Sequence, residues 1–130
     1  MTTTPTAAND IDDQMASAEH TLHAAIATYQ ESVWPWVRAK VLDAFPEATE
    51  CWFLGEYSEQ TGELTLRLGS LWLQGVGVVG VGDETVADLA DEVDPKLDWL
   101  ATLTGEDYLG WVKVTLPDGG PEWVDEQEVP

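Results

Sequence analysis

The sequence predicts an α+β fold in which two helical regions cover one face of an antiparallel sheet of about four strands. Apolar residues recur every three or four positions in two segments, which is the spacing of one helix face. Between these segments they alternate in steps of two, the spacing of a half-buried strand. Short turns join the first three strands, so the predicted order is α-β-β-β-α-β with an antiparallel meander. The chain has 130 residues, of which 44% are hydrophobic, and this suits one domain with its own core.

The first helix is predicted to begin at about Gln14. Residues 1–13 are rich in Thr and Asp and offer little to bury, so they are predicted to form a disordered leader. Pro35 clashes with the carbonyl four residues earlier, which predicts a kink or a new helix near residues 32–35, and Pro46 ends the second piece. The apolar residues of this region at helical spacing are Leu22, Ile26, Tyr29, Val33, Val37, Val41, Leu42 and Phe45.

Three strands are predicted to follow. The first covers about residues 50–57, and after a turn the second begins with leucines that alternate from Leu64 to Leu68. Gly69 and Ser70 fit a tight hairpin turn, because glycine adopts the positive φ that such turns require. The third strand is therefore predicted over about residues 71–81.

A second helical region is predicted to start at Asp83, a favourable N-cap residue. Pro95 is expected to split it, with Asp94 as the cap of a further helix, and Gly105 is expected to end it in a left-handed conformation. The buried stripe would consist of Val86, Leu89, Ala90, Val93, Leu97 and Leu100.

A last strand is predicted over about residues 108–116, followed by a turn that is rich in Gly and Pro. The single α+β domain is thus expected to span residues 14–117, and residues 118–130 are expected to form an acidic C-terminal tail. Trp123 lies in this tail, where it either docks on the sheet or serves as a short acidic-hydrophobic binding motif.

No motif predicts an enzyme, a metal site or a cofactor. Residues 75–80 match the G-x-G-x-x-G pattern, but they follow a hairpin strand and precede the predicted helix, so a nucleotide is not expected there. His20 and His23 lie on one helix face, yet a zinc site takes at least three protein ligands. Cys51 is the single cysteine and is expected to be a small buried residue.

The charge of the chain is strongly unbalanced. There are 25 acidic and five basic residues, for a formal net charge of −20. Such a field repels nucleic acids and anionic membranes and attracts basic proteins. The first residues do not have the form of a signal peptide, and glycines interrupt the longest uncharged stretch, so a cytoplasmic protein is expected.

The acidic residues are concentrated late in the chain. Residues 83–107 hold nine acidic residues against Lys96 alone, a net charge of −8. Trp34 and Trp99 both lie off the apolar stripes, so each is either an exposed contact residue or packed against a neighbouring helix. The predicted partner-binding surface consists of Trp99 and of five acidic residues opposite the apolar stripe, which we call the acidic ridge: Glu84, Asp88, Asp91, Glu92 and Asp98.

Two interpretations of this charge remain open. In the first, the chain is a non-enzymatic protein that binds a basic protein such as a nuclease or a DNA-binding protein, as a nucleic-acid mimic or as an inhibitor or immunity-type protein of phage or mobile-element origin. In the second, it is a structural or housekeeping domain whose acidity is an adaptation to salt or for solubility. The second interpretation allows a homodimer through an uncovered sheet face, in which Trp52 and Trp111 would matter more than the carboxylates.

Overall fold

The computed structural model describes the backbone of residues 7–130 and the side chains of residues 10–105 and 107–130. Over residues 7–130 the chain forms two α-helices, five strands and two short 3-10 turns. In chain order they are α1 (Ala7–Ala44), β1 (Ala48–Tyr57), β2 (Leu64–Leu73), β3 (Gly77–Gly80), α2 (Glu84–Thr104), a 3-10 turn at Gly105–Tyr108, β4 (Gly110–Thr115), β5 (Pro121–Val124) and a 3-10 turn at Glu126–Glu128.

The predicted α+β class is confirmed, with five strands instead of about four. The sheet order is β3-β2-β1-β4-β5, and each neighbouring pair is antiparallel. The additional strand comes from the predicted C-terminal tail. Residues 121–124 pair with β4, and Trp123 lies opposite Val112, so this part of the chain belongs to the sheet.

The core lies between the two helices and one face of the sheet. Alternate residues of the strands, such as Phe53, Leu66 and Val112, are fully buried, which is what the period of two predicts. The helices contribute the valines and leucines of their predicted stripes: Val33, Val37, Val41, Val86, Leu89, Val93, Leu97 and Leu100. The thiol of Cys51 is part of this core, and burial raises its pKa to about 12.

The predicted hairpin turn at Gly69-Ser70 is wrong, because β2 continues through these residues to Leu73. Trp52 pairs with Ser70 and Phe53 pairs with Leu68, so Gly69 is the extra residue of a β-bulge. Before the bulge the even-numbered Leu66 and Leu68 face the core, and after it the odd-numbered Leu71 and Leu73 do, because the extra residue shifts the alternation by one. The turn itself lies at residues 74–76, and the G-x-G-x-x-G run forms this turn and the edge strand β3.

The predicted breaks at the two prolines are also wrong. Helix α1 continues through Pro35, and α2 continues through Pro95. In each helix the proline and the residue four positions earlier are exposed to solvent. The carbonyl that loses its helical hydrogen bond can therefore be solvated, which reduces the cost of the proline.

Helix α1 begins at Ala7, so residues 7–13 of the predicted disordered leader are helical, and residues 1–6 lie outside the described residues. This segment buries little, since the side chains of residues 10–25 are all exposed. Adding residues to an existing helix needs no new nucleation, and alanine and an acidic first turn favour helix at this end.

An aromatic stack joins α1 to the sheet. Trp34 is 4% exposed, packs edge-on against Phe53 at 5.4 Å and donates a hydrogen bond from Nε1 to the hydroxyl of Tyr108 at 3.3 Å. Gln30 donates a second hydrogen bond to the same hydroxyl, at 2.7 Å. Tyr108 in turn stacks on Trp123 of β5 at 5.7 Å. Trp34 is therefore a core residue and not an exposed contact.

Candidate partner-binding surface

Helix α2 places part of the acidic ridge in solvent. Its N-cap is Asp83, as predicted, whose carboxylate accepts hydrogen bonds from the backbone N–H groups of Thr85 and Val86. The apolar stripe of the helix faces the core, so the opposite side points outwards. Three ridge carboxylates on this side are exposed, and no Lys or Arg of the described chain forms a salt bridge with them. We call them the outer ridge: Glu84, Asp88 and Asp91.

The other two ridge residues contact groups within the molecule. Glu92 forms a salt bridge with Lys40 of α1, with 2.7 Å between Oε1 and Nζ. The hydrogen bond and the charge of Glu92 raise the pKa of the Lys40 ammonium. Asp98 accepts a hydrogen bond from the backbone N–H of Leu66 at 2.9 Å and lies 3.5 Å from the guanidinium of Arg67. Of the predicted surface, the outer ridge and Trp99 therefore remain without a salt bridge in the described chain, while Glu92 and Asp98 each have an internal partner.

Trp99 is exposed, as its position off the apolar stripe allowed. Its side chain keeps 54% of its accessible surface, on the same side of α2 as the outer ridge. Together with Pro95 and Leu64 it lines an open depression of about 560 Å³ beside β2. A large aromatic group next to carboxylates is a common anchor of protein interfaces.

All five basic residues of the chain are engaged within the molecule. Besides Lys40 and Arg67, Arg38 donates to the backbone carbonyl of Gly119 at 2.8 Å. The ammonium of Lys96 lies 5.5 Å from the ring centroid of Trp36, and that of Lys113 lies 5.7 Å from the ring of Trp52. None of these cations forms a salt bridge with Glu84, Asp88 or Asp91, so within the described chain the negative charge of the outer ridge has no ion-pair partner.

Two carboxylates of α2 cap the open edge of β2. The carboxylate of Asp94 accepts a hydrogen bond from the N–H of Leu68 at 2.8 Å, and that of Asp98 does the same for Leu66. Residues four apart in a helix are about 6 Å apart along its axis, and residues two apart in a strand are about 6.6 Å apart. The near-equal spacing lets one helix satisfy two successive N–H groups. Sequence reasoning placed Asp98 in the ridge and missed this role, for which the Asp-x-x-x-Asp spacing was the available signal.

Among the acidic residues of α2, Asp94 has a pKa that is clearly shifted by its surroundings. Burial raises the pKa of its carboxyl to about 6, and the nearby charge of Asp98 acts in the same direction, against the lowering effect of the Leu68 N–H. The folded chain therefore holds this proton more tightly than the unfolded chain, whose Asp pKa is about 4. The stability that the folded chain gains from binding this proton is fully present below about pH 4 and is lost as the pH rises through about 6.

Asp94→Asn is expected to raise the free energy of unfolding at pH 8 by about 1 kcal/mol, a value discounted for the partial exposure of the group. Asparagine keeps an acceptor for the Leu68 N–H and does not ionise. Urea denaturation at pH 5 and pH 8 measures the effect, at values above the sequence pI of about 4.1. The gain is expected to be smaller at pH 5. Asp88→Asn, which removes the same charge from an exposed position, is the control, and an equal pH dependence in both variants would contradict the prediction.

The two histidines of the chain, His20 and His23, are both exposed on α1. Among the described residues, no group of three or more His, Cys, Asp or Glu side chains is arranged to hold a metal ion. Within the same part of the chain, no helix combines the length and apolar character needed to cross a bilayer.

Comparison of the chain with protein-family models, with curated proteins and with solved structures yields no match.

Proposed function

We propose that this chain is a non-enzymatic binding protein that engages a basic protein partner through the outer ridge and Trp99. One observation carries the proposal: three carboxylates stand in solvent on one side of α2, and none of the five Lys and Arg residues of the chain, all of which the structure describes, forms a salt bridge with them. Trp99 is exposed on the same helix, about 12 Å further along its axis than Asp91, so one element offers an anionic contact and an aromatic contact.

The spacing of the carboxylates favours a partner that itself binds nucleic acid. Successive members of the outer ridge are four and three residues apart, so their side chains lie on neighbouring turns about 5–6 Å from each other. That separation is close to the distance between successive phosphates of a nucleic-acid strand. A cytoplasmic nuclease or DNA-binding protein has a basic cleft that suits such a row. The chain would then act as a nucleic-acid mimic or as an inhibitor or immunity-type protein, of the kind that phages and mobile elements carry.

Trp99 would supply the part of the affinity that charge alone does not. Complementary charges chiefly accelerate encounter and select the partner, whereas a buried aromatic side chain slows dissociation. The depression that Trp99 lines with Pro95 offers room beside the ring for an apolar side chain of the partner.

The test is reversal of the outer ridge in one variant, Glu84→Lys, Asp88→Lys and Asp91→Lys. A partner is first captured from host lysate by the wild-type chain at low and high salt and identified by mass spectrometry. Its dissociation constant is then measured with both chains, and the variant is expected to bind at least tenfold more weakly. Circular dichroism should show an unchanged fold, since these three side chains are exposed.

A matched control carries the same change in net charge at exposed positions outside α2: Glu59→Lys, Asp118→Lys and Glu126→Lys. It is expected to weaken binding only slightly at physiological salt, where charges more than about 8 Å apart are largely screened. Equal losses in both triple variants would mean that only net charge matters. An unchanged affinity in the outer-ridge variant would exclude α2 as the contact surface.

A further inference from the structure

The first half of α1 carries an exposed apolar stripe. Ile11, Met15 and Leu22 are 62%, 58% and 54% exposed, although each is a residue type that is usually buried. With two alanines and a tyrosine they recur at alternating intervals of four and three residues, which is the heptad spacing of a coiled-coil seam. The full stripe is Ile11, Met15, Ala18, Leu22, Ala25 and Tyr29.

This stripe has no cover within the described chain. The side chains of residues 10–25 are all exposed, and the first buried residue of α1 is Val33. Tyr29, at the end of the stripe, already contacts α2 through a hydrogen bond from its hydroxyl to the carbonyl of Lys96. Beyond that contact, Ala18 and Leu22 line a shallow open groove of about 610 Å³ along the helix. The small alanines would let a second helix approach closely.

The charges beside the stripe indicate what kind of helix fits. Over residues 10–31 the chain has no Lys or Arg and five acidic residues. Two of these, Asp12 and Glu19, directly follow the stripe residues Ile11 and Ala18, at the flanking positions that pair across a coiled coil. The others are Asp10, Asp13 and Glu31.

A second copy of this chain is a poor occupant. It would add five more acidic residues to the pair of helices and would bring together two molecules of net charge −20 each. The stripe is also shorter than the three or four heptads by which an independent coiled coil is recognised. A helix with Lys or Arg beside its own apolar stripe would instead gain both apolar and ionic contacts.

We propose that Ile11–Ala25 of α1 is a docking helix that pairs, in the manner of a coiled coil, with a basic amphipathic helix of the partner protein. The proposal rests on the proposed function in that it needs a basic partner, and it adds a second contact surface on a different helix. Linking two contacts in one complex raises the effective concentration of each. A short stripe is therefore sufficient when the outer ridge binds the same partner.

The experiment uses the full chain and a synthetic fluorescent peptide of 24 residues, with leucine at both seam positions and lysine at the flanking positions of each heptad. The control peptide has the same composition in scrambled order, so its charge is equal and its apolar stripe is lost. Fluorescence anisotropy at physiological salt is expected to show at least tenfold tighter binding of the patterned peptide. Equal binding of the two peptides would overturn the proposal.

Two variants of the chain locate the binding. Met15→Gln with Leu22→Gln interrupts the apolar stripe with residues that are good helix formers. This double variant is expected to bind the patterned peptide at least tenfold more weakly than the wild type does. Ala16→Gln with Ala27→Gln, both exposed and outside the stripe, is the matched control and is expected to bind like the wild type. Circular dichroism verifies the helix content of both. Wild-type affinity in the stripe variant would overturn the proposal.

Two further arms separate this proposal from the proposed function. The outer-ridge triple variant is expected to keep its affinity for the patterned peptide within about threefold. If the stripe variant keeps full peptide binding while the outer-ridge variant loses the captured partner, the docking helix is refuted and the proposed function stands. Sedimentation equilibrium tests a second copy as the occupant, and a dimer that the Met15→Gln, Leu22→Gln change abolishes would refute the basic helix.

Discussion

Gly55→Ala is expected to lower the free energy of unfolding by about 3 kcal/mol, the upper end of the usual cost of overpacking. A Cβ atom at this position would lie 1.6 Å from the carbonyl oxygen of Tyr108 and 2.7 Å from its carbonyl carbon. Both atoms are backbone, so no rotation of a side chain can relieve the clash. The 3-10 turn that carries Tyr108 would have to move away from β1, and the hydrogen bonds from Gln30 and Trp34 would be strained with it.

Urea denaturation followed by circular dichroism measures this effect. Gly82→Ala is the matched control, because no atom lies within 4 Å of the added methyl group there. It is expected to leave stability unchanged or to raise it by up to about 1 kcal/mol, since alanine restricts the unfolded chain. A Gly55→Ala protein as stable as the wild type would mean that Tyr108 does not approach β1 this closely.

Trp34→Ala is expected to cost about 3–5 kcal/mol, the range for truncating a buried tryptophan. The change leaves a cavity between α1 and Phe53 and removes the Nε1–H donor from the hydroxyl of Tyr108. The same measurement on Trp99→Ala, the same change at an exposed position, is expected to show a loss of less than about 0.5 kcal/mol.

Trp34→Phe separates packing from hydrogen bonding at this site. It keeps an aromatic ring against Phe53 but has no N–H group. We therefore expect it to lower the free energy of unfolding, but by less than Trp34→Ala does. If Trp99→Ala lowered the free energy of unfolding as much as Trp34→Ala, Trp99 would have to be buried as well. That result would also exclude Trp99 as an exposed contact residue.

The features predicted correctly from sequence depend on local patterns. The period-two leucines from Leu64 to Leu68 fix a strand, and the Asp83 cap fixes where α2 starts. The bulge at Gly69 was missed because a glycine followed by a serine predicts a turn equally well. Only the pairing of β2 with β1, which is a tertiary property, decides between the two.

The predictions made for the two prolines and for the C-terminal segment were wrong for related reasons. The cost of Pro35 or Pro95 inside a helix depends on whether the orphaned carbonyl reaches water, and this is set by how the helix packs. Residues 121–124 have too short a pattern to predict a strand, and they form one because β4 offers an edge and Tyr108 a ring for Trp123.

For the predicted binding surface, too, local patterns predicted some features and tertiary contacts decided the others. Helical periodicity placed the outer ridge in solvent without knowledge of the fold, whereas for Trp99 it left exposure and packing open until the structure showed the side chain exposed. It could not reveal that Glu92 faces Lys40 or that Asp98 faces β2, because these contacts join elements far apart in the sequence. The stripe on α1 was not predicted, because Ile11 lies in the predicted disordered leader and Leu22 on the predicted apolar face with Val33. Only the structure shows that these residues are exposed on one helix and that nothing in the described chain packs on them.

The two carboxylates of α2 that hold the N–H groups of Leu66 and Leu68 also determine how other chains can approach β2. An incoming strand needs those groups as hydrogen-bond donors, and here they are taken. Growth of the sheet by strand addition is thereby blocked along this stretch, which protects a Leu-rich segment from templated aggregation. A partner that approaches from this side has to recognise the shape and charge of side chains rather than extend the backbone ladder.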